Sequence, residues 1–429
     1  MHSASDRAAA LSSASPVAPS RAHLPRVVIA ASIALALTAP GQTAAMSVFI
    51  DPLIRDLGIS RTVVSTAYMC GSLAGAVLMP FLGRLIDRYG PRRVMIAVGA
   101  CFAAVLVVSA TVTELFGLTA AFIGLRVGGQ GALNLVATTT VAIYVHRRRG
   151  FAIGLSSAIG TAGISLAPVL LERLIADLGW RDVWVIEGVV VLCLVVPAAL
   201  FLLPRTPPAP PREPADEVAP KHAAGLPEVD WTLREALRTG MFWTVAGGVG
   251  ACSLVGTALT FHLVSLLGER GLSPAEAAAT FVPQTLAGLV ASFALGWAAD
   301  HIGDRSLIIG TMLVLAAATA GAGWVQPGWT AVAYRLALGT CMNGVRTLEA
   351  VAFPRCFGLK HLGSIRGTVH SMTVGASSLG PLALAVGRSM ADGYRPALLA
   401  LCLLPALVVL AGLIVRHPPP VPPGREIVD

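Results

Sequence analysis

Gly83-Arg84-Leu85-Ile86-Asp87-Arg88-Tyr89-Gly90-Pro91-Arg92-Arg93 is a short basic stretch bounded by glycines. It returns in weaker form as Gly296-Trp297-Ala298-Ala299-Asp300-His301-Ile302-Gly303, an offset of 296 − 83 = 213. Two further landmarks repeat at nearly the same spacing. Gly58-Ile59-Ser60 returns as Gly271-Leu272-Ser273 (271 − 58 = 213), and Gly179-Trp180-Arg181 returns as Gly393-Tyr394-Arg395 (393 − 179 = 214). Three landmarks at almost one offset predict two homologous, parallel halves. A ligand site is then expected between them, near the midplane.

What lies between the landmarks is apolar. Of 429 residues 55% are hydrophobic and 13% charged, and the mean hydropathy is +0.74. A soluble domain carries roughly 25% charged residues because its surface faces water. A bilayer core needs about 20 apolar residues per helix. Such runs stand at 27–50, 62–82, 94–113, 115–145, 150–175, 183–203, 241–267, 275–298, 306–325, 330–355, 367–390 and 396–415. In lipid the backbone must satisfy its own hydrogen bonds, so long continuous runs imply helices and not barrel strands of alternating polarity. The expected fold is an all-α membrane protein of twelve transmembrane helices in two pseudo-symmetric six-helix bundles.

The segments follow from that. Residues 1–26 are Ala/Ser/Pro-rich and read as a disordered tail. The run from Val27, behind Arg21 and Arg26, reads as an uncleaved first helix, being too long for a signal peptide and followed by many further spans. The bundles are expected at 27–203 and 241–416. Between them, 204–240 carries Pro207, Pro208, Pro210, Pro211, Glu213, Asp216 and Glu217 and reads as a linker. Residues 417–429 form a tail.

The net charge of +8 does not point to nucleic acid, because the basic residues sit in short loops between apolar runs. With a cytoplasmic N-terminus the inner segments hold 21 Lys/Arg and the outer ones 7. Both termini are therefore expected in the cytoplasm of a cell with an inner membrane. The seven cysteines have no metal-ligand spacing and no disulfide framework. No metal site and no cofactor are expected. Only Lys221 and Lys360 are lysines, and neither stands in a phosphate loop, so ATP-driven work by this chain is not expected. No hydrolase elbow, zincin or kinase signature is present, and the chain does not read as an enzyme.

The loop Gly83–Arg93 resembles the cytoplasmic motif between the second and third helices of the major facilitator superfamily. Its second-half copy, the twelve spans and the central linker agree with that. Within the superfamily the chain is similar to bacterial relatives of monocarboxylate and oxalate/formate porters. That likeness rests on Arg148-Arg149-Gly150-Phe151-Ala152-Ile153-Gly154, Gly179-Trp180-Arg181, Phe261-His262-Leu263-Val264 and Phe357-Gly358-Leu359-Lys360-His361-Leu362-Gly363-Ser364-Ile365-Arg366-Gly367. There are departures. Where the animal monocarboxylate carriers have an Asp/Arg pair in the eighth helix, this chain has Gly288 and Ser292. The eleventh-helix lysine of oxalate/formate exchangers has no counterpart. Pro168 follows Ala167, so the fifth helix lacks the family's antiporter Gly-Pro.

Gating residues are expected at Gly83, Arg84, Asp87, Arg88, Gly90, Arg92, Arg93, Gly296 and Asp300. An aspartate just past one helix can meet the positive N-terminus of another. The resemblance implies Asp87 against the start of helix eleven near Gly367, and Asp300 against the start of helix five near Gly150. The plainer alternative is that these charges only set topology.

Arg126 falls about eleven residues into the fourth span, near mid-depth at about 1.5 Å per residue. An intramembrane arginine is costly and normally faces a cavity or a partner. Arg335 matches it, since Asn134 follows Arg126 by eight residues and Asn343 follows Arg335 by eight. Both arginines are substrate-binding candidates, or else buried arginines bonded to carbonyls. Gln42, Tyr68, Gln130, Asn134 and Asn343 are candidate cavity-lining residues. Arg346 and Glu349 share a helical face, so mutual neutralisation is the plain reading and proton coupling at Glu349 the sharper one. His262 is a further proton-coupling candidate.

Within the span interiors three arginines, Arg126, Arg335 and Arg346, outnumber the carboxylates Glu187 and Glu349. This favours a small organic anion such as a monocarboxylate as substrate. The expected activity is secondary active transport by alternating access, coupled to a proton or counter-substrate, by a monomer in the bilayer. The alternative is proton-driven drug or metabolite efflux on the same fold.

Overall fold

A computed structural model describes residues 23–145, 149–205, 230–299, 301–358, 361–391 and 393–415. The expected 1–26 tail mostly, the middle of the linker, the 417–429 tail, and Asp300, Arg148 and Lys360 lie outside these. All regular structure among the described residues is helical. The first half contains α1 (His23–Ala36), α2 (Thr43–Leu57), α3 (Arg61–Tyr89), α4 (Pro91–Ser109), α5 (Leu115–Leu125), α6 (Asn134–Tyr144), α7 (Arg149–Leu178) and α8 (Trp180–Pro197). The second contains α9 (Leu233–Ala236), α10 (Gly240–Phe261), α11 (Leu263–Gly268), α12 (Pro274–Ala279), α13 (Phe281–Ala299), α14 (Asp304–Gly321), α15 (Trp329–Phe357), α16 (Leu362–Met390), α17 (Tyr394–Leu401) and α18 (Leu403–Ile414).

Ten of the helical stretches are long and apolar enough to cross a membrane. The two other long stretches are the ones that carry the buried arginines. One is α15, with Arg335, Arg346, Glu349 and Arg355. The other is α5–α6, whose middle, Arg126–Leu133, widens to i→i+5 winding. Such a π segment opens the backbone ladder and is typical of functional positions. The first span is interrupted too, at Leu37–Gln42 around Pro40, where the missing proline N–H and a short 3₁₀ turn separate α1 from α2.

The landmarks that betrayed the repeat are turn devices. Gly58 and Gly271 have φ of 63° and 89°, and Gly179 and Gly393 have φ of 84° and 145°, backbone that side chains with a Cβ rarely adopt. Two residues after the first pair, Ser60 and Ser273 cap α3 and α12, each accepting a 3.3 Å bond from the third backbone N–H of its helix. Arg181 and Arg395 donate to the carbonyls of Val112 (3.1 Å) and Gly323 (2.8 Å) in corresponding loops. Arg92 donates to Ala199 O (3.2 Å) and Leu200 O (2.8 Å), and its counterpart Arg305 donates to Leu413 O, again 213 residues on. The orphan carbonyls ending the sixth and twelfth spans thus receive a cation each.

The halves touch mainly through α3 against α16, α2 against α10 and α11, and α7 against α12 and α13. These last contacts lie at the end carrying the Gly58, Gly179, Gly271 and Gly393 turns, called here the turn end. The opposite end, with Gly83–Pro91 and the start of α14, is the motif end. Residues 230–239, expected as linker, instead pack on the second half. Trp231 is buried edge-on to Phe357 (5.8 Å between ring centroids), and its backbone N–H donates to Phe357 O at 2.9 Å. A Thr232–Glu235 capping box then starts α9.

Candidate functional site

Gly41, in the interruption of the first span, lies against the π segment. A Cβ on Gly41 would stand 2.7 Å from Gly129 Cα and 2.8 Å from Gln130 N, so the two backbones meet where only glycine fits. This contact puts the carbonyl of Gly41, freed by the helix break, beside Arg126. Nη1 of Arg126 donates to Gly41 O (3.0 Å) and Thr43 Oγ1 (3.4 Å), and Nε donates to Ser72 Oγ (3.0 Å). Its guanidinium lies 4.6 Å from the Tyr68 ring centroid, and Tyr68 OH shares a 2.6 Å hydrogen bond with Thr43 Oγ1. Arg126 is 5% exposed and faces this polar cluster, not the lipid side.

Tyr68 joins the cluster to the second half, its ring 4.7 Å from that of Phe261. A second link is the hydrogen bond between Ser165 of α7 and Thr285 of α13. Of the other candidates in this region, Gln42 Nε2 donates to Thr38 Oγ1 (3.2 Å), Gln130 has a buried amide oxygen without a partner, and Asn134 is exposed.

Arg335 is placed in the second half as Arg126 is in the first, but it has different company. It is 0% exposed and lies over the Phe281 ring at 4.6 Å, and among the described residues its Nε, Nη1 and Nη2 have no carbonyl or carboxylate acceptor. Asn343 donates to Gly339 O at 3.3 Å and covers Gly288, where a Cβ would come within 2.8 Å of Asn343 Cγ. The room an eighth-helix carboxylate would need is therefore filled by an amide from the tenth.

Glu349 is ion-paired with Arg366 of α16 at 4.0 Å, not with Arg346, which is exposed although it shares the helical face. A neighbouring helix wins because Arg366 reaches across a shallow groove of about 460 Å³ also lined by Leu362, Gly367 and His370. His262 is fully buried and linked to Pro381 O at 2.8 Å, with Tyr394 OH 3.4 Å from Nδ1, so it ties α10 to α16. Arg92 sits on the sixth-span carbonyls of its own half. Among the described residues, Asp87 is exposed with no hydrogen bond or ion pair. Arg84 and Arg88 are also exposed and lie only over Phe81 (5.5 Å) and Tyr89 (5.3 Å), and Arg93 is exposed. Gly367 is exposed too, so Asp87 does not meet the start of α16 in this conformation. Gly83 and Gly296 have no backbone within 3.4 Å of a built Cβ, while Gly90 has φ 80° and separates α3 from α4. The sequence reading had missed Gly41, Thr43, Ser72, Ser165, Thr285 and Arg366. Only the glycine-rich Gly128-Gly129-Gln130-Gly131 run signalled a close approach there.

A helical bundle with an internal repeat, a π segment and buried cations has the architecture of a polytopic membrane protein. The chain matches the Major Facilitator Superfamily over residues 31–289, more than half its length, and it belongs to that family. It is 34% identical over 165 residues to human "Monocarboxylate transporter 14" (38% of this chain, 31% of that protein). It is 30% identical over 274 residues to human "Monocarboxylate transporter 11" (58% and 53%). The matches thus span about a third and about half of those relatives. Over 325 residues it is 29% identical to the "Probable nitrate/nitrite transporter NarK2" of Mycobacterium tuberculosis (73% and 77%). A solved bacterial homologue of the human lysosomal transporter Spinster, in an inward-facing, unoccupied conformation, shares the fold. Its TM-score is 0.73 at 16% identity, covering 92% of this chain and 98% of that one.

Proposed function

We propose that this protein is a secondary active transporter carrying a small organic anion, such as a monocarboxylate, across the inner membrane by alternating access, driven by a proton or a counter-substrate. The observation that carries this reading is the pair of buried arginines, Arg126 and Arg335, one in each half, set in span interiors poor in carboxylates. Buried cations are kept in a membrane protein when they meet a ligand, a pore or a partner. Relatives named for monocarboxylates and for nitrate or nitrite support an anionic cargo.

Among the described residues the contact pattern supports a conformation closed at the turn end and free at the motif end. With both termini in the cytoplasm, the orientation the basic loops favour, that is an inward-open state. The moving bodies are the bundles 27–203 and 241–416, joined through 204–240. On this reading Asp87 reaches the start of α16 only after rocking to the outward-open state, and Asp300 does the equivalent work at α7. Glu349, held by Arg366 beside the motif end, is the carboxylate suited to exchange a proton there.

The test is uptake of radiolabelled acetate, lactate and oxalate into proteoliposomes under an imposed proton gradient, beside efflux of lipophilic cationic dyes. Saturable, gradient-driven acid uptake is the expected result. Dye movement without acid uptake would replace the reading with drug efflux.

A further inference from the structure

The two buried arginines differ in what surrounds them. Arg126 receives acceptors from its own half, Ser72 Oγ and Gly41 O, both at 3.0 Å. Arg335 is more deeply buried, yet among the described residues none of its three nitrogens has a carbonyl or carboxylate acceptor. A guanidinium does not lose its proton in proteins, so the charge persists. The faces of Phe281 (4.6 Å) and Tyr334 (5.8 Å) attract it but leave the in-plane N–H fork unused.

The hydroxyl of Tyr334 stands beside this guanidinium, and the amide oxygen of Gln284 has no partner among the described residues. Gln284 lies nearly one turn after Phe281 on α13. Gly339, one turn after Arg335, packs so closely on it that a Cβ would be 2.9 Å from Gln284 C. Among the described residues no carboxylate is paired with the cluster. On the same helix Glu349 is fourteen residues away, about 21 Å at 1.5 Å per residue. Near the turn end, Glu269 is held by Arg388 at 2.9 Å and Glu276 by the Ser273 cap. Arg335, Tyr334 and Gln284 therefore offer a planar fork, a hydroxyl and an amide oxygen for which the described residues supply no carboxylate or carbonyl partner, while Gln284 Nε2 donates to Met342 Sδ at 3.7 Å.

Resting on the anion-transport reading above, we infer that Arg335, Tyr334 and Gln284 form a subsite for a planar oxyanion with two coplanar oxygens, a carboxylate or nitrate, and that this subsite opens toward the turn end. A guanidinium fork grips such an anion through two parallel N–H···O bonds. The closure is visible in the structure. Phe281 and Thr285 share one face of α13, Phe281 beneath Arg335 and Thr285 bonded to Ser165 of α7. Parting α7 from α13 uncovers that face. Arg126 then acts as a positioning residue that holds the break in the first span.

The experiment measures the thermal midpoint of purified wild type, Arg335→Gln, Arg335→Lys, Tyr334→Phe and Arg126→Gln. The probes are sodium acetate, sodium lactate and sodium nitrate, against sodium chloride at equal ionic strength. At least one probe should raise the wild-type midpoint. Arg335→Gln should lose that shift, Arg335→Lys and Tyr334→Phe should keep part of it, and Arg126→Gln should lower the starting midpoint. Acetate or lactate without nitrate identifies an organic acid, and nitrate alone an inorganic anion. If Arg335→Gln does not fold, a Ser165→Cys/Thr285→Cys pair replaces it: oxidation should abolish the shift and reduction restore it. A full shift in Arg335→Gln, or in the oxidised pair, overturns this inference and leaves anion transport standing. No shift of wild type by any of the three also overturns it, and if neutral or cationic solutes shift it instead, the anion reading falls as well.

Discussion

Replacing Gly41 by alanine tests the assembly that holds Arg126. The new Cβ would stand 2.7 Å from Gly129 Cα and 2.8 Å from Gln130 N, and it would meet Leu125 O as well, all rigid backbone. Ordinary contact begins at 3.4 Å, so the first span must retreat by at least 3.4 − 2.7 = 0.7 Å. That retreat takes the Arg126 Nη1 to Gly41 O bond from 3.0 Å to about 3.7 Å, outside hydrogen-bond range. Overpacking costs about 1–3 kcal/mol. Losing a bond to a charged donor costs about 1.5–3 kcal/mol. The expected destabilisation is the sum, about 2.5–6 kcal/mol. Gly75→Ala is the control. It faces the same segment, but its nearest atoms are 3.9 Å away, and alanine in a helix interior gains about 0.5–1 kcal/mol. Denaturant titration in mild detergent, read by a thiol-reactive dye that reports exposure of the buried Cys252, Cys341 and Cys356, measures both. If Gly41→Ala unfolds within about 1 kcal/mol of Gly75→Ala, the close approach does not support the arginine as argued.

Other outcomes follow from the same contacts. Arg92→Ala and Arg305→Ala should each lower stability by about 1–2 kcal/mol, and by similar amounts, because each leaves the carbonyls at the end of a terminal span uncovered; values far apart in the same titration would contradict the equivalence. Asp87→Asn should favour the conformation closed at the turn end and raise the rate of disulfide formation in a Ser165→Cys/Thr285→Cys pair about fivefold for a coupling of about 1 kcal/mol. A slower rate would remove Asp87 from gating. His262→Ala should cost about 1–3 kcal/mol by stripping the link to Pro381 O, while the pH profile of transport keeps its shape. A displaced profile would return His262 to proton coupling.

Read alone, the sequence determined the membrane, the helices, the repeat and the depth of the two arginines. Each rests on rules acting over a few neighbouring residues. Apolar runs must satisfy their own backbone in lipid, the turns after Gly58 and Gly271 need positive φ followed by a serine cap, and a charge inside a span stands out by its cost. Only the tertiary structure decided the partners. It gave Arg126 the carbonyl of Gly41 from 85 residues away, gave Glu349 to Arg366 in place of Arg346, and joined the halves through Ser165 and Thr285. It also left Arg335 without a carbonyl or carboxylate acceptor among the described residues. Pairings of that kind depend on how helices register across a bundle, and a hydrogen bond formed over 85 or 120 residues leaves no periodic trace in the chain that makes it.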